Sequence, residues 1–285
     1  MSETFFLLLK CPDVKGVVAS VSSYLAEHDI SIVYAHNFND ITGDCFFMRV
    51  AFRVDGPKFP GIEPLKVGFA AIADRFAMQW EICDGHRKPR VLIGVSKIGH
   101  CFFDLLHRWR TGLLEIEIPA VFSNHEDMRS FAEWNGVPYH FLPVTKDTKA
   151  SQEHQILALV NSLDIDLVVL ARYMQVLSPD LCRALEGRCI NIHHSFLPSF
   201  KGAGPYKQAY NRGVKIIGAT AHYVTSDLDE GPIIEQGVER VSHAQTPEDL
   251  VRIGRDIECT VLARAVRWHC ERRIMLNGQK TVIFV

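Results

Sequence analysis

Val91-Leu92-Ile93-Gly94-Val95 is an unbroken apolar run, entered from the polar stretch Asp84-Gly85-His86-Arg87-Lys88-Pro89-Arg90 and followed by Cys101 to Trp109, where apolar residues recur at helical spacing. A strand without polar alternation is one buried on both faces. Ile116 to Phe122 and Leu167 to Leu170 repeat the pattern, separated by the amphipathic stretches Met128 to Trp134 and Gln152 to Leu163. Short buried strands alternating with helices predict an α/β domain built on a parallel sheet covered on both faces.

Downstream, the pattern predicts a strand (Cys189 to Ile192), a polar loop (His193 to Gly204), a helix (Tyr206 to Arg212), strands over Lys215 to Val224 and Ile233 to Val241, and a long helix from about Pro247 to Arg272. A last hairpin, Ile274 to Val285, turns at Asn277-Gly278, a strong two-residue hairpin signal. Upstream, Thr4 to Lys10 reads as a buried strand and Val14 to Glu27 as a helix, with Val17, Val18, Val21, Tyr24 and Leu25 at helical spacing. Ile30 to Asn37 and Cys45 to Arg53 follow as strands around a turn through Asn39, Asp40 and Gly43, then a helix from about Leu65 to Arg75 and a strand from Met78 to Cys83. This is a ferredoxin-like βαββαβ unit. The polar stretch 84 to 90 has the composition of a linker, so the expected domains are 1–85 and 86–285.

The 285 residues are 47% hydrophobic, enough for a sizeable core. A formal net charge of -2 and a pI near 6.7 supply no basic excess for nucleic acid or an anionic membrane. The opening residues Met1 to Asp13 lack the basic and long apolar regions of a signal peptide, and no run approaches the length of a membrane span. A cytoplasmic protein is therefore expected. The eight cysteines form no C-x-x-C pair or regular framework and are expected to be mostly reduced and buried.

Chemistry concentrates in Asn191-Ile-His193-His194-Ser195-Phe-Leu-Pro198, Thr220-Ala-His222-Tyr-Val224 and Asp227-Leu-Asp229-Glu230-Gly231-Pro232. Residues two apart on a strand share a face, so Asn191 and His193 are expected to project together at a strand end, where open α/β sheets place ligands. An amide and an imidazole can both donate to the oxygen of a tetrahedral intermediate while a carboxylate moves protons. Asn at a strand end is otherwise a common turn former, and a buried His is often only a satisfied polar residue.

This stretch resembles the folate-dependent formyltransferase superfamily, whose pattern is Asn-Ile/Val-His-x-Ser-Leu-Leu-Pro followed by a His and, seven residues on, an Asp; here His222 and Asp229 keep that interval and Phe196 replaces one Leu. The resemblance implies a Rossmann-like doubly wound domain with Asn191, His193 and Asp229 as catalytic residues. Ala171 to Pro179 resembles the loop that cradles the pterin, which implies substrate contacts from Met174, Gln175, Val176 and Leu177, with Gln175 standing where Arg is common. His222, Val224 and Asp227 are the further substrate-side residues implied. Met174, Val176 and Leu177 could also serve simply as core residues after the strand.

Glycinamide ribonucleotide formyltransferases carry a Gly-rich phosphate loop after their first strand, where backbone N–H groups meet the acceptor's phosphate. The corresponding segment here, Val95-Ser-Lys-Ile-Gly-His-Cys101, lacks it. The Ser-Lys-x-x-His-Cys pattern, the His193-His194 pair and Gly218-Ala-Thr-Ala-His-Tyr223 are instead similar to formyltetrahydrofolate deformylases, and Cys11-Pro-Asp-Val-Lys-Gly16 with Phe46-Phe-Met-Arg49 is similar to the ACT domain that precedes the hydrolase in that family. Val14 and Gly204 depart from the family pattern.

The resemblance implies hydrolysis of 10-formyltetrahydrofolate to formate and tetrahydrofolate, feeding one-carbon pools such as those of purine biosynthesis, with a formyltransferase acting on a small amine as the alternative. Water is the expected nucleophile, with Asp229 either deprotonating it or relaying its proton. His222 would position His193 or the substrate, and His194, on the opposite side of the strand, would support the site or be structural. No cofactor and no metal are expected, because adjacent strand residues face opposite ways and His193 and His194 then cannot readily share an ion. The ACT-like region implies a homo-oligomer, dimer or tetramer, with an amino-acid effector at the pair interface or a purely structural pairing role.

Overall fold

The computed structural model describes residues 4–198 and 205–285; the expectation attached to Gly204 lies outside them. The chain divides into two units, one formed by residues 1–87 with 271–275 and 282–285, the other by 88–270 with 276–281. The closing hairpin, β12 (Ile274–Asn277) and β13 (Lys280–Ile283), is thus shared between them.

In the first unit β1 (Thr4–Pro12), α1 (Val17–Glu27), β2 (Ile30–Asp40), β3 (Cys45–Val54), α2 (Ile62–Arg75) and β4 (Gln79–Asp84) follow in the βαββαβ order. Their antiparallel sheet has the order β2-β3-β1-β4. Leu7 and Leu9 of β1 with Met48, Val50 and Phe52 of β3 meet Val17, Val21 and Leu25 of α1 and Leu65, Phe69 and Ala73 of α2. The helical residues recur every three or four positions, which points one stripe of each helix at the sheet. Each such fully buried large side chain stabilises by about 1.5–3 kcal/mol.

The second unit carries β5 (Arg90–Val95), α3 (His100–Arg110), β6 (Glu117–Ser123), α4 (Arg129–Trp134), β7 (Tyr139–Phe141), α5 (Lys149–Ser162), β8 (Leu167–Leu170), α6 (Pro179–Ala184), β9 (Cys189–His193), α7 (Pro205–Arg212), β10 (Ile216–Tyr223), β11 (Ile233–Arg240) and α8 (Pro247–Cys270). Its seven-stranded sheet has the order β11-β10-β9-β8-β5-β6-β7. β7, β6, β5, β8 and β9 are parallel. β10 and β11 are antiparallel additions, so the expected parallel sheet is mixed at this edge. The β10–β11 link, residues 224–232, is too short for the crossover that a parallel pair requires.

From β5 the sheet grows one way through β6 and β7, then returns to the other side of β5 with β8 and β9. That reversal lies between β5 and β8, and the crevice beyond the carboxyl ends of such strands is the usual ligand position. Leu92, Phe122, Val168 and Leu170 pack with Ile156 and Val160 of α5 and Leu181 of α6, while α8 lies along β9, β10 and β11 and against α3. Cys11, Cys101, Cys182 and Cys189 are buried. Among the described residues no helix is long and apolar enough to cross a membrane.

Candidate active site

The loops that leave β5 and β8 are tied together at the reversal point. The Ala171 amide donates to the Gly94 carbonyl at 2.8 Å, the Met174 amide to Ser96 Oγ at 3.0 Å, and Ser96 Oγ to Asn124 Oδ1 at 2.6 Å. Arg172, between them, has φ 65°, a left-handed conformation that non-glycine residues adopt mainly where surrounding structure enforces it. Met174 and Val176 are consequently turned outward, 54% and 55% exposed. They are not the core residues that their apolar character alone would suggest, whereas Leu177 packs on the core cluster.

Asn191 and His193 stand at the end of β9, and antiparallel pairing sets His222 beside Asn191 and Thr220 beside His193. The pairing of β10 with β11 shifts register between Ala221 and His222, with Ile234 of β11 as the extra residue. His222 Nδ1 lies 2.9 Å from the Tyr223 carbonyl and so carries the hydrogen in the neutral ring, leaving Nε2 to accept from Asn191 Nδ2 at 3.3 Å. The buried Thr220 hydroxyl donates to the Ser195 carbonyl at 2.9 Å and accepts from the Leu197 amide at 3.1 Å, which holds the loop after His193 against β10.

Asp229 arrives from the loop between β10 and β11. Its φ is 58°, and the next turn closes on Gly231, where a Cβ would stand 1.7 Å from the Tyr223 carbonyl oxygen, so only glycine permits the approach. The carboxylate then sits between two imidazoles: Oδ2 is 3.2 Å from His193 Nδ1 and Oδ1 is 3.7 Å from His222 Nε2. Burial pulls this carboxyl upward, but the bonds and charges of His193 and His222 outweigh it and hold it well below the usual carboxylate range. Asp229 is therefore ionised at neutral pH, and it takes the Nδ1 hydrogen of His193. Nε2 of that ring is buried without a hydrogen-bond partner.

These groups open on a cavity of about 680 Å³ whose wall includes Asn191, His193, His222 and Asp229 together with Met174, Gln175, Val176, Leu177, Val224 and Asp227. All the residues expected from the sequence thus line one pocket. The arrangement sets the Asn191 amide N–H beside the unpartnered Nε2 of an imidazole backed by a carboxylate, and once that nitrogen carries a proton the pair can donate to a developing oxyanion.

His194 departs from its expectation. β9 ends at His193, so strand alternation stops there, and both rings line the same cavity with centroids 5.3 Å apart. Burial, and then the charge of Arg172, push His194 down to about 4. Metal-ligating atoms converge elsewhere than at the His193-His194 pair. Among the described residues they converge at His100, Cys101 and Cys259, with ligand atoms within 4.8 Å of one another.

Sequence reasoning assigned no role to Arg172, Tyr206, Glu258 or His100, the last standing in the Ser-Lys-x-x-His-Cys pattern, and all four also line the cavity. The signal for Glu258 was available: a carboxylate on the face of α8 that buries Leu250, Gly254, Val261 and Leu262 is a charge on an apolar stripe.

Residues 89–266 match the family model described as formyl transferase. A formyltetrahydrofolate deformylase from Corynebacterium sp. strain P-1 is 50% identical over 278 residues, 97% of this chain and 96% of the relative. The crystal structure of a formyltetrahydrofolate deformylase from Burkholderia mallei superposes with a TM-score of 0.94 at 50% identity, covering 99% of this chain and 100% of that one. A glycinamide ribonucleotide transformylase from Symbiobacterium toebii gives 0.65 at 28% identity, over 70% of this chain and 95% of the other. The fold, the strand-end amide and imidazole and these matches make the chain a member of the formyl transferase family, with that family's α/β fold in its second unit. Within it, the full-length identity places the chain among the formyltetrahydrofolate deformylases, which are hydrolases.

Proposed function

We propose that the chain hydrolyses 10-formyltetrahydrofolate to formate and tetrahydrofolate, with the pterin against Met174 to Leu177 and Val224 to Asp227 and the formyl carbon at Asn191 and His193. The observation that carries this reading is the bare Nε2 of His193, buried at the cavity wall while Nδ1 is held by an ionised Asp229. Asn191 Nδ2 keeps one hydrogen for substrate when the other goes to His222. Asn191 and His193, the latter protonated or as an N–H donor, then donate to the oxygen of the tetrahedral intermediate.

Asp229 Oδ1, 3.7 Å from His222 Nε2, orients the attacking water in this scheme. Water oxygen bonds to the formyl carbon, its proton passes to the carboxylate, the C–N10 bond breaks, and the proton goes on to N10. A carboxyl held this far below its ordinary range takes the proton only in passing, which favours the relay among the roles expected of Asp229. No metal or cofactor takes part in this scheme. The released formate and tetrahydrofolate would serve one-carbon pools such as those of purine synthesis, in the cytoplasm.

The βαββαβ unit acts, in the same reading, as an ACT-type domain. Its edge strand β2 carries exposed Ile32, Val33, Tyr34 and Phe38. An unpaired apolar edge suits strand pairing with a second copy, giving a dimer or tetramer with an amino-acid effector at the pair. The test of the reaction is incubation of the purified protein with 10-formyltetrahydrofolate alone. Stoichiometric formate and tetrahydrofolate are expected; formate absent until an amine is added, with formylated amine as product, would make it a transferase.

A further inference from the structure

Four polar side chains on the cavity wall take no part in that scheme: His100, Arg172, Tyr206 and Glu258. Glu258 is 1% exposed, yet both of its oxygens are engaged. Oε2 lies 2.8 Å from His100 Nε2 and 3.4 Å from Arg172 Nε, and Oε1 accepts from the Tyr206 hydroxyl at 2.7 Å. Burial pulls the Glu258 carboxyl upward, but His100, Arg172 and Tyr206 together hold it below its ordinary range, so it is an ion. Burial and the same carboxylate raise the Tyr206 hydroxyl, which stays a donor.

The cluster is built into the walls of the pocket. The Tyr206 ring is seated on α8 at Gly254, where a Cβ would stand 2.1 Å from the ring's Cζ. His100 is the first residue of α3, the helix that follows the loop in which a Gly-rich phosphate cradle would lie. The cluster also borders the proposed triad, since the His194 ring lies 5.3 Å from that of His193 and 6.1 Å from that of Tyr206.

We infer that His100, Arg172 and Tyr206, fastened to the buried carboxylate of Glu258, occupy the place an amine acceptor would need beside the formyl group and thereby restrict the nucleophile to water. This rests on the reading that the formyl carbon meets Asn191 and His193. An acceptor entering there would have to strip partners from an ionised, fully buried carboxylate, and removing one partner of such a group is strongly destabilising. A water need not. Arg172 Nε and His100 Nδ1, buried without hydrogen-bond partners, offer a donor and, in the neutral ring, an acceptor to a guest of that size. The deformylase character would then lie in the cluster and the transfer chemistry in the triad.

The experiment measures how the formyl group divides between water and a small amine. Full-length protein is given 10-formyltetrahydrofolate with saturating glycinamide, and formate and formylglycinamide are quantified by mass spectrometry. The wild type should yield formate with no more than a trace of formylglycinamide. Tyr206→Ala and His100→Ala should raise the formylglycinamide share by at least about tenfold, the order of discrimination that pocket contacts supply. The volume-keeping variants Tyr206→Phe and Glu258→Gln loosen the cluster without emptying it and carry the test should the truncations fail to fold; they should show a smaller rise in the same direction.

Folded variants that bind folate normally yet still release only formate would overturn the inference, as would ready transfer by the wild type. The product ratio separates this from the triad reading, because undiminished turnover in Asn191→Ala would refute the triad while leaving the partition result intact. A purely structural role for the cluster would lower both products together and leave their ratio unmoved.

Discussion

His193 Nδ1 faces Asp229 Oδ2 at 3.2 Å, while the opposite nitrogen of the same ring is buried with no partner. The pairing leaves one ring position free to change, on a residue that lines the cavity. It also explains why the carboxylate is sheltered yet ionised, since the two imidazoles that flank it outweigh its burial.

Asn191→Ala removes one preorganised donor, and such a loss typically reduces turnover about 10²–10³-fold. The variant should bind folate nearly as well as the wild type, because the Met174 to Leu177 and Val224 to Asp227 walls are untouched. Turnover and an independent folate titration check this, and a KM effect without a kcat effect would move Asn191 from the chemistry to ground-state binding.

His194 gives a pH dependence of stability. Its ring is pushed from 6.5 to about 4 by burial and then by Arg172, so between those values the unfolded chain binds a proton that the folded chain refuses. Stability is therefore full above the unfolded value and falls as the pH drops from 6.5 towards 4, with no further loss below. At about 1.4 kcal/mol per pH unit, the interval amounts to at most roughly 3.5 kcal/mol. His194→Gln should flatten the fall of the melting temperature across that window, and an unchanged slope would show that other groups set it.

The fold was readable wherever burial leaves a period. β5 and β8 lie buried on both sides, and their runs from Val91 and Leu167 carry no polar alternation. β7, three residues long, and α6, a little over one turn after Ser178-Pro179, are too short to show any period. Asn191 and His193 were legible through two-residue spacing, which failed one residue later because the strand ends before His194. Long-range partnerships, such as Glu258 with His100, 158 positions apart in sequence, leave only the trace of a charge on an apolar face. The β10 and β11 reversal depends on the loop that presents Asp229, and neither hydropathy nor spacing reports strand direction.

A charge on the exposed edge of β2 tests self-association. Tyr34 is 63% exposed there, and Tyr34→Lys blunts an edge in the way natural sheets do. The oligomer measured by light scattering should shrink while the isolated catalytic turnover persists; an unaltered oligomer would place the assembly contact elsewhere.

Exhaustive chelation should leave formate release intact, because the proposed oxyanion donors are protein groups. The His100, Cys101 and Cys259 grouping gives the prediction an opponent. Turnover lost with a chelator and restored by a single divalent metal would require a metal in the reaction.

Asp229→Asn is the sharpest test of the proposed division of labour. The amide keeps the shape of the carboxylate and can still accept from His193 Nδ1 through its oxygen, but it can neither take a proton from water nor offset a charge on the ring. The deficit should fall chiefly on kcat, with folate affinity from direct titration changed much less. The depressed carboxyl of Asp229 also stabilises the fold at neutral pH, a contribution lost only as pH falls through its low folded value, so melting must confirm that the variant is folded at assay temperature. Combining the change with His193→Ala should cost little beyond the worse single variant, as groups acting as one unit are far from additive. Near wild-type turnover by folded Asp229→Asn would exclude the proton relay and leave the carboxylate a structural part of the loop that Gly231 closes.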